Sequence, residues 1–118
     1  MKKVLIVEDD RILSFLLEKQ VKRLGCEIIG RVASGESAID VARKYTPDFI
    51  LMDINLEGEI DGIEAMKVIQ SFLSPPFLYL TGNSDPNTKV RAIETKPINY
   101  LIKPIDFKIL SQALLATY

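Results

Sequence analysis

The stretch DFILMDINL, residues 48 to 56, decides how the whole chain is read. Phe49, Ile50, Leu51 and Met52 form an unbroken apolar run, and a carboxylate, Asp53, stands where that run stops. A run this short and uniform predicts a strand buried on both faces, as in the middle of a parallel sheet. Open α/β sheets bind ligands in the crevice outside the carboxyl ends of their strands, and that is where this reading puts Asp53.

Three other apolar runs end in the same manner. VLIV, residues 4 to 7, leads into Glu8-Asp9-Asp10; FLYLT, residues 77 to 81, closes on Thr81; NYLI, residues 99 to 102, is followed at once by Lys103-Pro104. EIIGRVA, residues 27 to 33, is a weaker strand. Helical periodicity fills the gaps. The first helix spans about 11 to 24, with Ile12, Leu13, Leu16, Leu17, Val21 and Leu24 expected on one buried face and Gly25 as its stop. A second, capped by Ser34 or Gly35, runs to about Tyr45 before Pro47. A third begins at Asp61 or Gly62 and offers Ile63, Met66, Val68, Ile69 and Phe72 for burial. The fourth starts at Ser84 or Asp85, carries Pro86 in its first turn and has a thin stripe of Val90, Ala92 and Ile93, so it is expected to be the most mobile. The last covers about 106 to 117. Strict alternation over 118 residues predicts one domain of α/β class, a doubly wound five-stranded parallel sheet with helices on both faces.

Composition narrows the function. A net charge of −1 gives no electrostatic footprint for direct nucleic-acid binding. No apolar run nears the roughly 18 residues of a membrane span, and Met1-Lys2-Lys3 leads into a strand rather than a secretory segment, so a cytoplasmic location is expected. Cys26 is the single cysteine and reads as a packing residue. The chain has no histidine, which excludes a Ser-His-Asp triad and His-based zinc sites. Chemistry is left to carboxylates, lysine, hydroxyls and a hard metal ion.

In a parallel sheet the polar strand ends converge, and Glu8, Asp9, Asp53, Thr81 and Lys103 would share one pocket. Three carboxylates about 4 to 6 Å apart repel by several kcal/mol at an effective dielectric of ~20, and one ammonium offsets only part of this. Such a site calls for a divalent cation, and an all-oxygen donor set suits Mg²⁺. Lysine, a threonine hydroxyl and a metal together suit a phosphoryl group.

The acids at 8 to 10, Asp53 after its apolar strand, Thr81 after FLYL, and YLIKP at 100 to 104 together resemble the receiver domain of two-component response regulators, over essentially the whole chain. The resemblance implies a flavodoxin-like strand order of 2-1-3-4-5. It implies that Asp53 is the phosphoacceptor for a sensor histidine kinase or phosphotransfer protein. Asp9, Asp53 and the Asn55 backbone carbonyl would ligate Mg²⁺, with Glu8 acting through water. Lys103 and Thr81 would hold phosphoryl oxygens, Tyr100 would switch rotamer with Thr81, Lys103-Pro104 would be cis, and Asn55 and Asn83 would tune dephosphorylation. Asp10, one place past the acidic pair, reads as a helix cap, with metal ligation as the alternative. The loop LEGEIDG departs from the family pattern: it lacks the usual proline, and Asp61-Gly62 comes one residue late.

Two rivals stand beside a phosphorylation-driven switch. An aspartyl-phosphate phosphatase of the haloacid-dehalogenase kind wants a second Asp two residues after the nucleophile, where this chain has Asn55. A receiver-shaped binding module that no longer uses phosphate would be expected to lack an acid or the lysine. The last helix carries more apolar residues than one stripe needs (Phe107, Ile109, Leu110, Ala113, Leu114, Leu115, Ala116), so a surface of helix 4, strand 5 and helix 5 is expected to meet a downstream protein, an effector domain or a second copy of the chain.

Overall fold

The computed structural model describes residues 2–82 and 85–116. Strands β1 (Lys3–Val7), β2 (Glu27–Val32), β3 (Phe49–Asp53), β4 (Phe77–Thr81) and β5 (Asn99–Ile102) alternate with helices α1 (Arg11–Arg23), α2 (Gly35–Tyr45), α3 (Gly62–Gln70), α4 (Pro86–Glu94) and α5 (Phe107–Ala116). The strands form one sheet in the order β2-β1-β3-β4-β5, and every neighbouring pair is parallel.

The sequence pattern sets this order of burial. β3 and β4 are buried at every position, whereas edge strand β2 mixes exposed and half-buried residues and edge strand β5 buries only Leu101. Alternation along each strand sends side chains to two cores. Ile50, Met52, Phe77 and Tyr79 pack with Ala38, Ala42, Ile63, Met66 and Ala92 beneath α2, α3 and α4. Phe49, Leu51, Leu78 and Leu80 pack with Leu17, Val21, Leu110 and Leu114 beneath α1 and α5.

Short polar residues fix the helix starts. Asp10 caps α1 by accepting from the Ile12 and Leu13 amides, and Ser34 caps α2 by accepting from Ser37. Asp61 and Glu64 form a reciprocal capping box on α3, and Asp85 precedes Pro86 at the start of α4. Gly25, at φ +85°, follows the end of α1 in the left-handed conformation that ends helices. The LEGEIDG loop leans toward α2: Glu57 bridges to Ser34, and the Glu59 amide donates to the Glu36 carboxylate at 3.2 Å.

Several helix faces differ from expectation. α1 buries Ser14, Leu17 and Val21, while Ile12 is 76 % exposed and Leu16 also faces outward. At about 100° per residue Ile12 lies about 140° around the helix from Leu17, so one face cannot bury both. On α4 only Ala92 is buried, and Val90 and Ile93 are exposed. On α3, Val68 is exposed and Ala65 takes a core place; Phe72 lies beyond the helix, half-buried under the Arg43 guanidinium at 4.3 Å. α5, in keeping with its expected apolar surplus, leaves Ile109 and Leu115 exposed.

These positions separate under denaturant. Leu51→Ala is expected to lower stability by about 2 to 5 kcal/mol, whereas Ile12→Ala should stay within about 0.5 kcal/mol of the parent in urea unfolding. Equal losses would contradict the outward placement of Ile12.

Candidate functional site

The carboxyl ends of β1, β3 and β5 bring the acids and the lysine together. Glu8, the residue after β1, is 2 % exposed and Asp53, the last of β3, likewise 2 %. Asp9 beside them is more open to solvent. One carboxylate oxygen from each of Glu8, Asp9 and Asp53 lies within 4.8 Å of the others. Lys103, just past β5, reaches in so that its Nζ stands 2.8 Å from Glu8 Oε1 and donates to Asp53 Oδ2 at 3.2 Å. The other Glu8 oxygen accepts the Asp10 amide at 3.0 Å, which locks the β1–α1 turn beneath the site.

Charge does not balance here. Burial, then a hydrogen bond to Glu8 and its charge, push the Asp53 carboxyl up to about 8, against the pull of Lys103. Burial acts against the Lys103 ammonium, but Glu8 and Asp53 outweigh it and hold its pKa above the ordinary lysine value. Three carboxylates against one ammonium leave a formal excess of two negative charges. Their donor atoms are all hard oxygens, and a divalent cation of the Mg²⁺ type fits both the charge and the donors.

Thr81, the last residue of β4, is fully buried. Its Oγ1 accepts from Asn55 Nδ2 at 3.4 Å, and its side chain hydrogen-bonds Tyr100. Asn55 also donates its backbone amide to Asp53 Oδ1 at 3.2 Å, so it links the end of β3 to Thr81. Tyr100 is half-buried, and burial raises its hydroxyl pKa, partly offset by Thr81. The Lys103–Pro104 peptide bond is cis. Asn83 lies outside the described residues.

Gly62 belongs to this site and was missed in the sequence. A Cβ built there would meet the Asp53 carbonyl oxygen at 2.1 Å, so only glycine lets α3 begin against the end of β3. Its signal was available: a glycine opening a helix marks a close backbone approach.

With fold and site described, comparison with known proteins places the chain. A family model for the response regulator receiver domain matches residues 4–115, and the chain belongs to that family of signalling modules. It is 31% identical over 113 residues to the transcriptional regulatory protein PdtaR of Mycobacterium tuberculosis, covering 96% of this chain and 55% of that one. It is 35% identical over 104 residues to the alkaline phosphatase synthesis transcriptional regulatory protein PhoP of Bacillus subtilis, covering 87% and 42%. The chain thus spans about half the length of the curated relatives it matches. Among solved structures, the signal receiver domain of a modulated diguanylate cyclase from Desulfovibrio desulfuricans superposes with a TM-score of 0.91 at 33% identity, over 98% of this chain and 92% of the other. The chemotaxis protein CheY4 of Vibrio cholerae gives 0.85 at 26% identity, over 100% and 99%. No helix among the described residues is long and apolar enough to cross a membrane.

The raised Asp53 pKa carries a sign. Between 3.8 and about 8 the folded chain binds more of this proton than the unfolded chain, so metal-free stability falls as pH rises through that window. In EDTA, Asp53→Asn should flatten this fall and raise the Tm at pH 8 by several degrees, as about 1 kcal/mol does in a domain of this size. Mg²⁺ should stabilise the parent and not Asp53→Asn; parallel pH curves for the two proteins would rule out this origin of the strain. Gly62→Ala should cost more than about 1 kcal/mol and weaken Mg²⁺ binding measured by titration, because the added methyl displaces the Asp53 backbone.

Proposed function

We propose that this chain is a phosphorylation-activated receiver, in which Asp53 accepts a phosphoryl group from the phosphohistidine of a sensor histidine kinase or phosphotransfer protein in the cytoplasm. The observation that carries this reading is the Glu8, Asp9, Asp53 and Lys103 cluster at one sheet edge. Such a buried excess of charge is costly unless it serves a ligand.

Asp53 presents a carboxylate oxygen to the phosphorus; the new P–O bond forms as the P–N bond to the donor imidazole breaks, and the imidazole nitrogen keeps the electron pair. Ionised Asp53 is the attacking form, and its high pKa opposes that form; Asp9, Asp53 and the Asn55 carbonyl, with Glu8 through water, would hold a Mg²⁺ whose charge would favour ionisation. Bound there, Mg²⁺ supplies positive charge beside the acceptor and the equatorial phosphoryl oxygens. Lys103 exchanges its Asp53 contact for a phosphoryl oxygen, and Thr81 turns its hydroxyl from Asn55 and Tyr100 toward another. About −2 of new charge thereby draws on Thr81, and Tyr100 loses its partner. Asn55 and Asn83 tune hydrolysis of the aspartyl phosphate, the only turnover assigned to the chain.

Two surfaces follow. A groove of about 550 Å³ beside Lys103, lined by Ile12, Leu16, Pro104, Ile105 and Phe107, suits the helix that carries the donor histidine. The exposed Val90, Ile93, Ile102, Ile109 and Leu115 on α4, β5 and α5 suit a downstream protein, an effector domain or a second receiver. The longer relatives are named transcriptional regulators, and a net charge of −1 assigns any nucleic-acid contact to an effector rather than to this domain.

Acetyl phosphate with Mg²⁺ should add one phosphoryl group by intact mass, absent in Asp53→Asn. Lys103→Ala should slow labelling by about a hundredfold, the scale of losing one charge-stabilising group. Beryllofluoride with Mg²⁺ should shift backbone NMR signals between residues 81 and 104; labelling of Asp53→Asn, or an unchanged spectrum, would overturn the reading. Light scattering with beryllofluoride tests the second-receiver form of the output surface, for which a larger species is expected.

A further inference from the structure

Tyr79 sits in the middle of β4 and is fully buried, in a strand whose other members are apolar apart from the terminal Thr81. Its hydroxyl lies 2.6 Å from Thr95 Oγ1, in the turn that closes α4. Thr95 spends its single hydroxyl proton on the Ala92 carbonyl, also at 2.6 Å, so Tyr79 must be the donor to Thr95. Gln70, at the end of α3, donates to the Thr95 carbonyl at 2.8 Å. Burial pushes the Tyr79 hydroxyl up to about 12, so it stays a donor at any physiological pH. A relay of buried hydroxyls thus ties one end of α4 to the sheet, and the Gln70 amide ties it to α3.

The chain beyond is short and bonded as well. Lys96 turns through φ +63°, and the Ile98 amide already donates to the Phe77 carbonyl at 2.8 Å. The rest of α4 is held differently. Ala92 is its only buried residue, and its ion pair to the α3 cap, Arg91 to Asp61 at 3.1 Å, is partly exposed and therefore weak. Nearer the amino end, Lys89 lies 5.9 Å from the centre of the Tyr100 ring. Tyr100 in turn packs edge-on against Tyr79, with ring centres 6.5 Å apart.

We infer that Thr95, strapped to β4 by the Tyr79 hydroxyl, is the fixed end of α4, and that a change at Thr81 and Tyr100 swings the amino-terminal half of the helix about it. The strap stands on geometry alone, and the swing rests on Asp53 being the phosphoacceptor. It gives Tyr79 a role as a positioning residue for the output surface, because Val90 travels with the swinging half while the turn into β5 stays in place.

Hydrogen exchange in the unliganded chain tests the strap. Tyr79→Phe and Thr95→Val keep the shape and remove a hydroxyl. Both should speed exchange of the 95, 96 and 98 amides roughly tenfold, the scale of stranding one buried partner. Thr95→Ser, which keeps the hydroxyl, should stay within about fourfold of the parent, the difference that a lost buried methyl allows. Exchange in Tyr79→Phe and Thr95→Val equal to the parent would overturn the strap. With beryllofluoride and Mg²⁺, NMR shifts in the parent should be large over residues 86 to 91 and small over 95 to 97, and in Tyr79→Phe they should spread into 95 to 97. Equal shifts over both segments of the parent would overturn the fixed end. No shift anywhere would instead sink the phosphoacceptor reading, and the exchange measurement would still decide the strap.

Discussion

The structure depends on holding more negative charge at one buried edge than its single lysine can neutralise. Lys103 bridges Glu8 and Asp53 and keeps the pocket closed on itself, yet the balance at Asp53 still favours the proton. A fold selected for stability alone would fill these positions with apolar side chains. The tension is useful because it is relieved by the ligands that a phosphotransfer site must bind. The acids that would hold a cation and the lysine that offsets them are thus parts of one electrostatic deficit.

Parallel topology is what assembles this deficit from distant parts of the chain. With β1, β3, β4 and β5 all running the same way, the residue that ends each apolar run arrives at the same edge. The two faces of the sheet then divide the labour. Tyr79 and Tyr100 point into the core beneath α2, α3 and α4, and Thr81 touches that layer through its hydrogen bond to Tyr100. The α1 and α5 layer carries the groove beside Lys103. The groove beside Lys103 and the Thr81–Tyr100 contact therefore occupy different sides of the sheet.

Much of this was readable in the residues. Each strand announced itself as an apolar run, and the site residues as the polar groups that ended those runs, while Asp10 looked like a cap and acts as one. What failed was the angular width of helix faces. Ile12 and Leu16 were counted into one stripe with Leu17 and Val21, although apolar character at about 3.6-residue spacing does not say which part of a wide stripe meets the sheet. Val90 and Ile93 failed in the same way. Long-range polar contacts left no local trace: nothing near Tyr79 points to a hydroxyl partner 16 residues on. Gly62 sat in plain view as half of an Asp-Gly pair, but its closeness to the Asp53 carbonyl exists only once the strand and the helix have folded together.

The loop after Asp53 is tethered to the start of α2 through Glu36 and the Ser34–Glu57 bridge. Gly58 turns at φ +98°, a conformation that side chains rarely adopt, and sits beside the Glu36 carboxylate, which also holds the Glu59 amide. The loop is thereby spooled sideways onto a neighbouring helix. One acid and one glycine can thus anchor a long acidic loop, leaving the surroundings of Asp53 free to keep their spacing while the rim beside it acquires its own charge signature.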